Sequence, residues 1–176
     1  MNNLYIDFDG VILDTWPVIY EKYVNIFKTN NIEEEKLKQT MNIIGWSYII
    51  NNSDIINESI NKILKLTKDF NVFVLTKVNS KEEELKKKMY LLDKGIKNVI
   101  FVSYQQKKSR VVNPKGSYLI DDDVDNLDDW QQCGGISIFF NKNLQNYDSY
   151  GHFNNNYKLI NDLLNIYDII DLGGYK

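Results

Sequence analysis

Residues 4–14 read "LYIDFDGVILD". A short apolar run ends in two aspartates one residue apart, Asp7 and Asp9, and Gly10 follows at once. Two like charges closing an otherwise apolar strand ask for a reason. Similar apolar runs recur at Val72–Thr76, Val99–Val102, Ser117–Ile120 and Ile136–Phe140. With Leu4–Phe8 they read as strands, and their lack of polar alternation fits strands covered on both faces. Helical patterns lie between them, so the chain reads as βαβ units building one parallel sheet.

The helical stretches follow from spacing. Ile56, Ile60, Ile63 and Leu64 recur at i, i+4, i+7, i+8, which marks residues 54–68. Leu85, Met89 and Leu92 form a second stripe, opened by a Ser80–Glu83 capping box and closed at Gly95. In this helix "EEELKKK" (82–88) reads as a solvated face with i,i+4 pairs. Ile160, Leu163, Leu164 and Tyr167 stripe a C-terminal helix. Residues 15–53 do not fit the alternation. They carry a helical pattern at Ile19, Tyr23, Ile26 and Phe27 behind Pro17, and a second short helix at Glu33–Met41. The fold class is therefore α/β, a Rossmann-like parallel sheet flanked by helices, with a small helical cap inserted after the first strand. Residues 1–14 and 54–176 form the core domain and 15–53 the cap. Asn141–Asn156 is polar and reads as a surface connection.

Composition narrows the chemistry. The formal charge of -3 over 176 residues supplies no basic field for a DNA or RNA duplex. No run approaches the ~20 apolar residues of a membrane span, and the N-terminus lacks the pattern of a signal peptide. Cys133 is the only cysteine, which suits a reducing cytoplasm; beside Gly134 and Gly135 it reads as structural. His152 is the only histidine, so histidine-based zinc sites and Ser-His-Asp catalysis are disfavoured. The chain has no alanine and one arginine, Arg110. Its chemistry must run on carboxylates, hydroxyls and lysines.

In an open parallel sheet, ligands bind outside the carboxyl ends of the strands. Those ends carry Asp7 and Asp9, then Thr76, then Asp121, Asp122 and Asp123, with Lys107 and Lys108 in the connection after the third strand. Clustered carboxylates repel and need a cation. A hard divalent ion with oxygen ligands, Mg²⁺, would serve. A hydroxyl and an ammonium beside it would hold phosphate oxygens, which outlines a phosphoryl-transfer site. Asp7 is then the nucleophile that forms an aspartyl-phosphate. Asp9, two residues on and so on the same side of the pleat, protonates the leaving oxygen and later activates water.

Four segments in order, "YIDFDGVILD", "VFVLT", "QQKKSRVV" and "YLIDDDVDN", resemble the motifs of the haloacid dehalogenase (HAD) superfamily of phosphohydrolases. The resemblance spans residues 4 to about 128. It implies Asp7 as nucleophile and metal ligand, Asp9 as acid/base with its carbonyl on the metal, and Asp121 as the third protein ligand. Asp122 and Asp125 would order metal-bound water, and the third consecutive aspartate, Asp123, leaves that choice open. Thr76 and Lys108 would bind the phosphoryl group, with Lys107 and Lys115 as alternatives for the lysine and the Phe8 N–H assisting. Within the superfamily, "LIDDDVDN" and a small helical cap are most similar to the 5'-nucleotidase and deoxyribonucleotidase branch. That implies a small phosphorylated metabolite as partner, a nucleotide, with Trp16, Tyr20, Tyr23, Trp46 and Tyr48 available to stack on its base.

The alternatives are a sugar-phosphate or broad-specificity phosphatase and, from another class, a non-catalytic binding or regulatory domain. The retained Asp7, Asp9 and Asp121 argue for the enzyme. A phospho-receiver domain would need its phosphorylated aspartate at the end of the third strand, where Ser103 stands.

Overall fold

A computed structural model describes residues 1–143 and 157–170 of the chain. Its centre is a six-stranded, wholly parallel sheet made of β1 (Asn2–Ile6), β4 (Phe70–Val78), β5 (Val99–Ser103), β6 (Tyr118–Asp121), β7 (Ile136–Phe140) and β8 (Lys158–Ile160). The strand order is β5-β4-β1-β6-β7-β8. Beyond β1 the chain builds outward on one side through β4 and β5, then crosses to the other side to add β6. The order therefore reverses between β1 and β6, and such a reversal opens a crevice at the carboxyl ends of these two strands.

Strand alternation divides the core in two. Leu4, Ile6, Val72, Val74, Ile120 and Ile138 face one layer, which also holds Ile60, Ile63 and Leu66 of α4 (Ser59–Leu66), Leu91 of α5 (Lys81–Asp93) and Ile166 of α7 (Ile166–Ile169). Tyr5, Leu75, Leu119 and Phe139 face the other layer, covered by Leu127 and Trp130 of α6 (Val124–Gln132). Trp130 donates its indole N–H to Ser117 O (3.2 Å) and meets Tyr5 edge-on. Gly135 permits this packing, since a Cβ there would lie 2.2 Å from the indole.

Between β1 and α4 the chain makes α1 (Thr15–Phe27), α2 (Glu34–Ile44) and α3 (Trp46–Asn52), which pack on one another. The short strands β2 (Leu13–Asp14) and β3 (Asp54–Ile55) pair antiparallel and form a neck through which this helical segment leaves and returns. Ile12 O ties the neck to the core by accepting from Ile56 N–H and the Ser59 hydroxyl.

Several elements differ from the sequence reading. β1 stops at Ile6, because the N–H groups of Ile12 and Leu13 both turn back to Phe8 O. The helix expected over 54–68 begins only at Ser59, after β3 and a 3-10 turn at Ile56–Glu58. The C-terminal stripe is not one helix: Ile160 closes β8, Leu163 lies in a 3-10 turn, and α7 covers four residues. Buried residues there recur every third position, at Ile160, Leu163 and Ile166, and Asp162 caps the turn through Leu164 N–H. Most of the connection Asn141–Asn156, with His152, lies outside the described residues.

The largest correction concerns α5. Ser80 caps it as expected, its hydroxyl accepting from Glu83 N–H (3.1 Å), but the helix presents its other face to the core. Leu85, Met89 and Leu92 are about half exposed (53%, 55% and 47%), whereas Glu83, Lys87 and Leu91 are buried. The "EEELKKK" segment is thus only partly solvated. Truncating Leu91 to alanine should cost about 2–4 kcal/mol. Leu85→Ser and Met89→Ser should each change stability by less than about 0.5 kcal/mol. Urea unfolding of the three variants checks this, and the reverse order would return the leucine–methionine stripe to the core.

Candidate active site

The crevice above β1 and β6 opens into a cavity of about 360 Å³, within the range of small-molecule sites. Its floor holds Asp7, Asp9, Lys108, Asp122 and Asn126; its upper wall is Trp16, Ile19, Leu37, Met41 and Trp46 from the helical segment, with Tyr104 from the loop after β5.

Asp7 lies one residue past β1, where its N–H donates to Ile120 O (2.9 Å) on β6. Asp121 ends β6 itself and is fully buried. Lys108, at the start of a 3-10 turn after β5, places Nζ 2.7 Å from Asp7 Oδ1 and 2.7 Å from Asp121 Oδ2. The carboxylates and ammonium form one buried cluster. Of the three candidate lysines, Lys108 is the one at Asp7: Lys107 pairs with Asp129 (2.9 Å), and Lys115 stands beside Gly134. Burial pushes the Asp7 carboxyl up to about 7; Lys108 opposes the rise, while Asp121 and Asp9 add to it. Burial lowers the Lys108 ammonium, but Asp121 and Asp7 outweigh it and leave the group above its ordinary value.

Asp121 is held on both oxygens. Oδ1 accepts from Asp123 N–H (3.0 Å), and Oδ2 also accepts from the Asn126 amide (3.1 Å). Asp123 caps α6 by accepting from Asp125 N–H (2.9 Å), which gives the third aspartate of the run a helix-starting role. Asp125 does not join the site. It is exposed and lines a neighbouring cavity with Lys107, Asp128 and Asp129, while the amide of Asn126, one residue on, is the group that meets Asp121.

Asp122 does more than expected. Asp7, Asp121 and Asp122 each bring a carboxylate oxygen within 4.8 Å of the others, a set of hard donors suited to a divalent cation such as Mg²⁺. Asp122 lies open to the cavity, yet loss of hydration and the nearby Asp121, Asp7 and Asp9 raise its carboxyl well above the ordinary range. Such a rise marks a site that gains from a bound cation. Gly10, at φ +75°, makes the arrangement possible, since a Cβ there would fall 2.0 Å from Asp122 Oδ2.

The pleat argument for Asp9 fails because β1 ends at Ile6 and the chain turns. Asp9 reaches the same cavity but has different partners. Oδ2 lies 2.5 Å from Lys87 Nζ, and Oδ1 accepts from the Thr15 hydroxyl (2.9 Å) at the start of α1. Lys87 also pairs with Glu83 (2.7 Å) and is fully buried. Burial opposes its charge, but Asp9 and Glu83 outweigh that and hold the ammonium above its usual range. Thr76 is buried on β4 outside the cavity wall, with Lys87 Nζ 3.4 Å from its hydroxyl; Lys77 and Asn79 line the wall instead. Of the aromatics in the helical segment, Trp16 and Trp46 line the cavity. Tyr23 is structural, its hydroxyl donating to Asn31 O (2.7 Å), and Tyr20 packs on Trp16.

No protein-family model and no curated protein matches the sequence. Solved structures do match the fold. A haloacid dehalogenase-like hydrolase of Streptococcus pneumoniae superposes with a TM-score of 0.65 at 10% identity, covering 96% of this chain and 98% of that one. A HAD-superfamily hydrolase of subfamily IA from Geobacter sulfurreducens gives 0.63 at 10% identity, over 97% and 100%. D,D-heptose 1,7-bisphosphate phosphatase of Burkholderia thailandensis gives 0.54 at 14% identity, over 93% and 94%. The fold is thus the α/β Rossmann-like fold of HAD-type hydrolases.

Two measurements test the site's electrostatics. In metal-free protein between about pH 4 and 7, native Asp7 keeps a proton that the unfolded chain has released. Its contribution therefore makes stability fall as pH rises through that window. Asp7→Asn removes the penalty. In EDTA the variant should exceed the wild type by on the order of 1–4 kcal/mol above pH 7 and converge with it below about pH 4. Gly10→Ala, strained at positive φ and clashing with Asp122, should cost at least about 2 kcal/mol by thermal unfolding.

Proposed function

We propose that the protein is a Mg²⁺-dependent phosphomonoester hydrolase working through an aspartyl-phosphate, with nucleoside 5'-monophosphates as substrates. The observation that carries this is the cavity floor, where Asp7 reaches an open cavity while paired to Lys108 and within carboxylate range of Asp121 and Asp122. Oxygens of Asp7, Asp121 and Asp122, with the Asp9 carbonyl, would hold Mg²⁺, which when bound neutralises charge on the phosphoryl oxygens. Asp7 attacks phosphorus as its bond to the leaving oxygen breaks. Asp9 gives that oxygen a proton and then takes one from the water that hydrolyses the aspartyl-phosphate. Lys108 offers its ammonium to the phosphoryl group from below. Segment 15–53 acts as a cap that excludes water from this chemistry.

The nucleotide reading rests on Trp16, which lines the cavity, is half exposed and offers a flat apolar face. Sugar phosphates are the second reading, favoured by Glu34, Lys38 and Asn79 in the same wall and by the likeness to a heptose bisphosphate phosphatase. A cytoplasmic setting is proposed from the lone, exposed Cys133.

Phosphate release from nucleoside monophosphates and sugar phosphates, with Mg²⁺ or EDTA, tests both readings. Turnover should vanish in EDTA and fall at least about 10³-fold in Asp7→Asn. Trp16→Ala should raise KM for nucleotides several-fold at constant kcat and leave sugar phosphates unchanged. A preference for sugar phosphates would overturn the nucleotide assignment, and a folded wild type without turnover would favour a binding domain.

A further inference from the structure

Among the described residues, Lys87 is the most enclosed charge that the proposed chemistry leaves without a task. Its side chain is 0% exposed, and its ammonium meets Asp9 Oδ2 at 2.5 Å, Glu83 Oε1 at 2.7 Å and Lys77 O at 3.2 Å. The indole of Trp46 covers it, with the ring centroid 4.5 Å away, and Phe8 flanks it at 5.2 Å. Glu83 is equally fixed, because its other oxygen accepts from Asn79 N–H (2.8 Å).

Burial of such a group is a poor source of stability. A buried ammonium with two carboxylates loses hydration that apolar side chains of similar volume would not lose. What the cluster provides is a fixed Asp9. Oδ2 is held by Lys87 from the core helix α5, and Oδ1 by Thr15 from α1. The two contacts differ in kind. An ammonium can only donate, so Oδ2 stays an acceptor, whereas the Thr15 hydroxyl can turn and accept. Oδ1 is therefore the oxygen able to carry a proton.

We propose that Lys87 is a positioning residue for Asp9: seated by Glu83 and sealed by Trp46, it fixes Oδ2 so that proton exchange runs through Oδ1. This rests on the reading of Asp9 as the acid/base group. In the first step the Asp7–phosphorus bond forms, the bond to the leaving oxygen breaks, and the proton on Asp9 Oδ1 passes to that oxygen. Asp9 is left as a carboxylate whose new charge faces the Lys87 ammonium. In the second step water oxygen bonds to phosphorus, the Asp7–phosphorus bond breaks, and the water proton returns to Oδ1. Both steps leave Lys87 protonated throughout. The same geometry joins the helical segment to the chemistry, because Trp46 also anchors to α5 through its backbone N–H, which donates to Glu82 Oε1 (3.2 Å).

The test compares the wild type with Lys87→Met and with Glu83→Gln/Lys87→Met, which removes the carboxylate that the single variant would leave buried and unpaired. Circular dichroism establishes folding, and an alkyl phosphomonoester and 4-nitrophenyl phosphate are assayed with Mg²⁺. In the folded variants kcat on the alkyl ester should fall about 10–100-fold with KM held within about twofold. 4-Nitrophenyl phosphate, whose leaving group needs no proton, should show a burst of about one nitrophenolate per enzyme and then slow turnover, as the aspartyl-phosphate waits for its base. A folded double variant within about threefold of wild-type kcat on the alkyl ester overturns the role. So does an equal fall on both esters without a burst, which is the mark of general loosening. If the wild type hydrolyses neither ester, the phosphatase reading fails and takes this role with it; an active wild type beside an unaffected variant removes the role alone.

Discussion

A single ammonium between two carboxylates, Lys108 between Asp7 and Asp121, joins three parts of the chain far apart in sequence. The carboxylates sit at the ends of β1 and β6, the two strands flanking the point where sheet order reverses. Adjacent parallel strands bring their ends together by construction, and like charges there repel in a poorly hydrated pocket. Lys108 offsets that repulsion from the turn after β5. Asn126 and the Asp123 N–H complete the set around Asp121, so the start of α6 is organised by the same cluster.

The sheet separates this cluster from a second one. Lys108 approaches from the layer covered by α6, and Lys87 from the layer covered by α5. Asp7 pairs with the first lysine and Asp9 with the second, although one residue separates them. The turn at Phe8–Leu13 makes the division possible. It ends β1 early, and Gly10 leaves room for the Asp122 carboxylate. One tight turn thus gives two neighbouring carboxylates different surroundings, the arrangement that acid/base and nucleophilic tasks require.

The helical segment completes the enclosure. It leaves and returns through the β2–β3 neck, supplies most of the apolar wall, and rests on α5 through Trp46. In the proposed function the floor would carry the phosphoryl chemistry and the wall would select the leaving group. Function lives in this pairing of floor and wall, since the fold by itself is shared by hydrolases of many kinds.

Much of this was legible in the residues. Apolar strands ending in charge, separated by helical patterns, determined the parallel sheet; Asp7 and Asp121 could be named because each sits at or just after a strand end, and Lys108 because its surroundings resemble a family motif. Glu83 and Lys87 were not legible as site residues. An i,i+4 Glu–Lys pair looks the same in sequence whether water or a buried aspartate lies beside it, and the apolar Leu85, Met89 and Leu92 pointed to the wrong face of α5. The contact of Asn126 with Asp121 was hidden for a similar reason, since helix α6 starts from the Asp123 cap and the angle of its first turn decides which residue reaches Asp121. Local pattern determined where chain elements begin and which strand ends carry charge. Tertiary structure alone decided which face of each helix meets them, because buried charges choose the face that offers a partner over the face that offers the most apolar area.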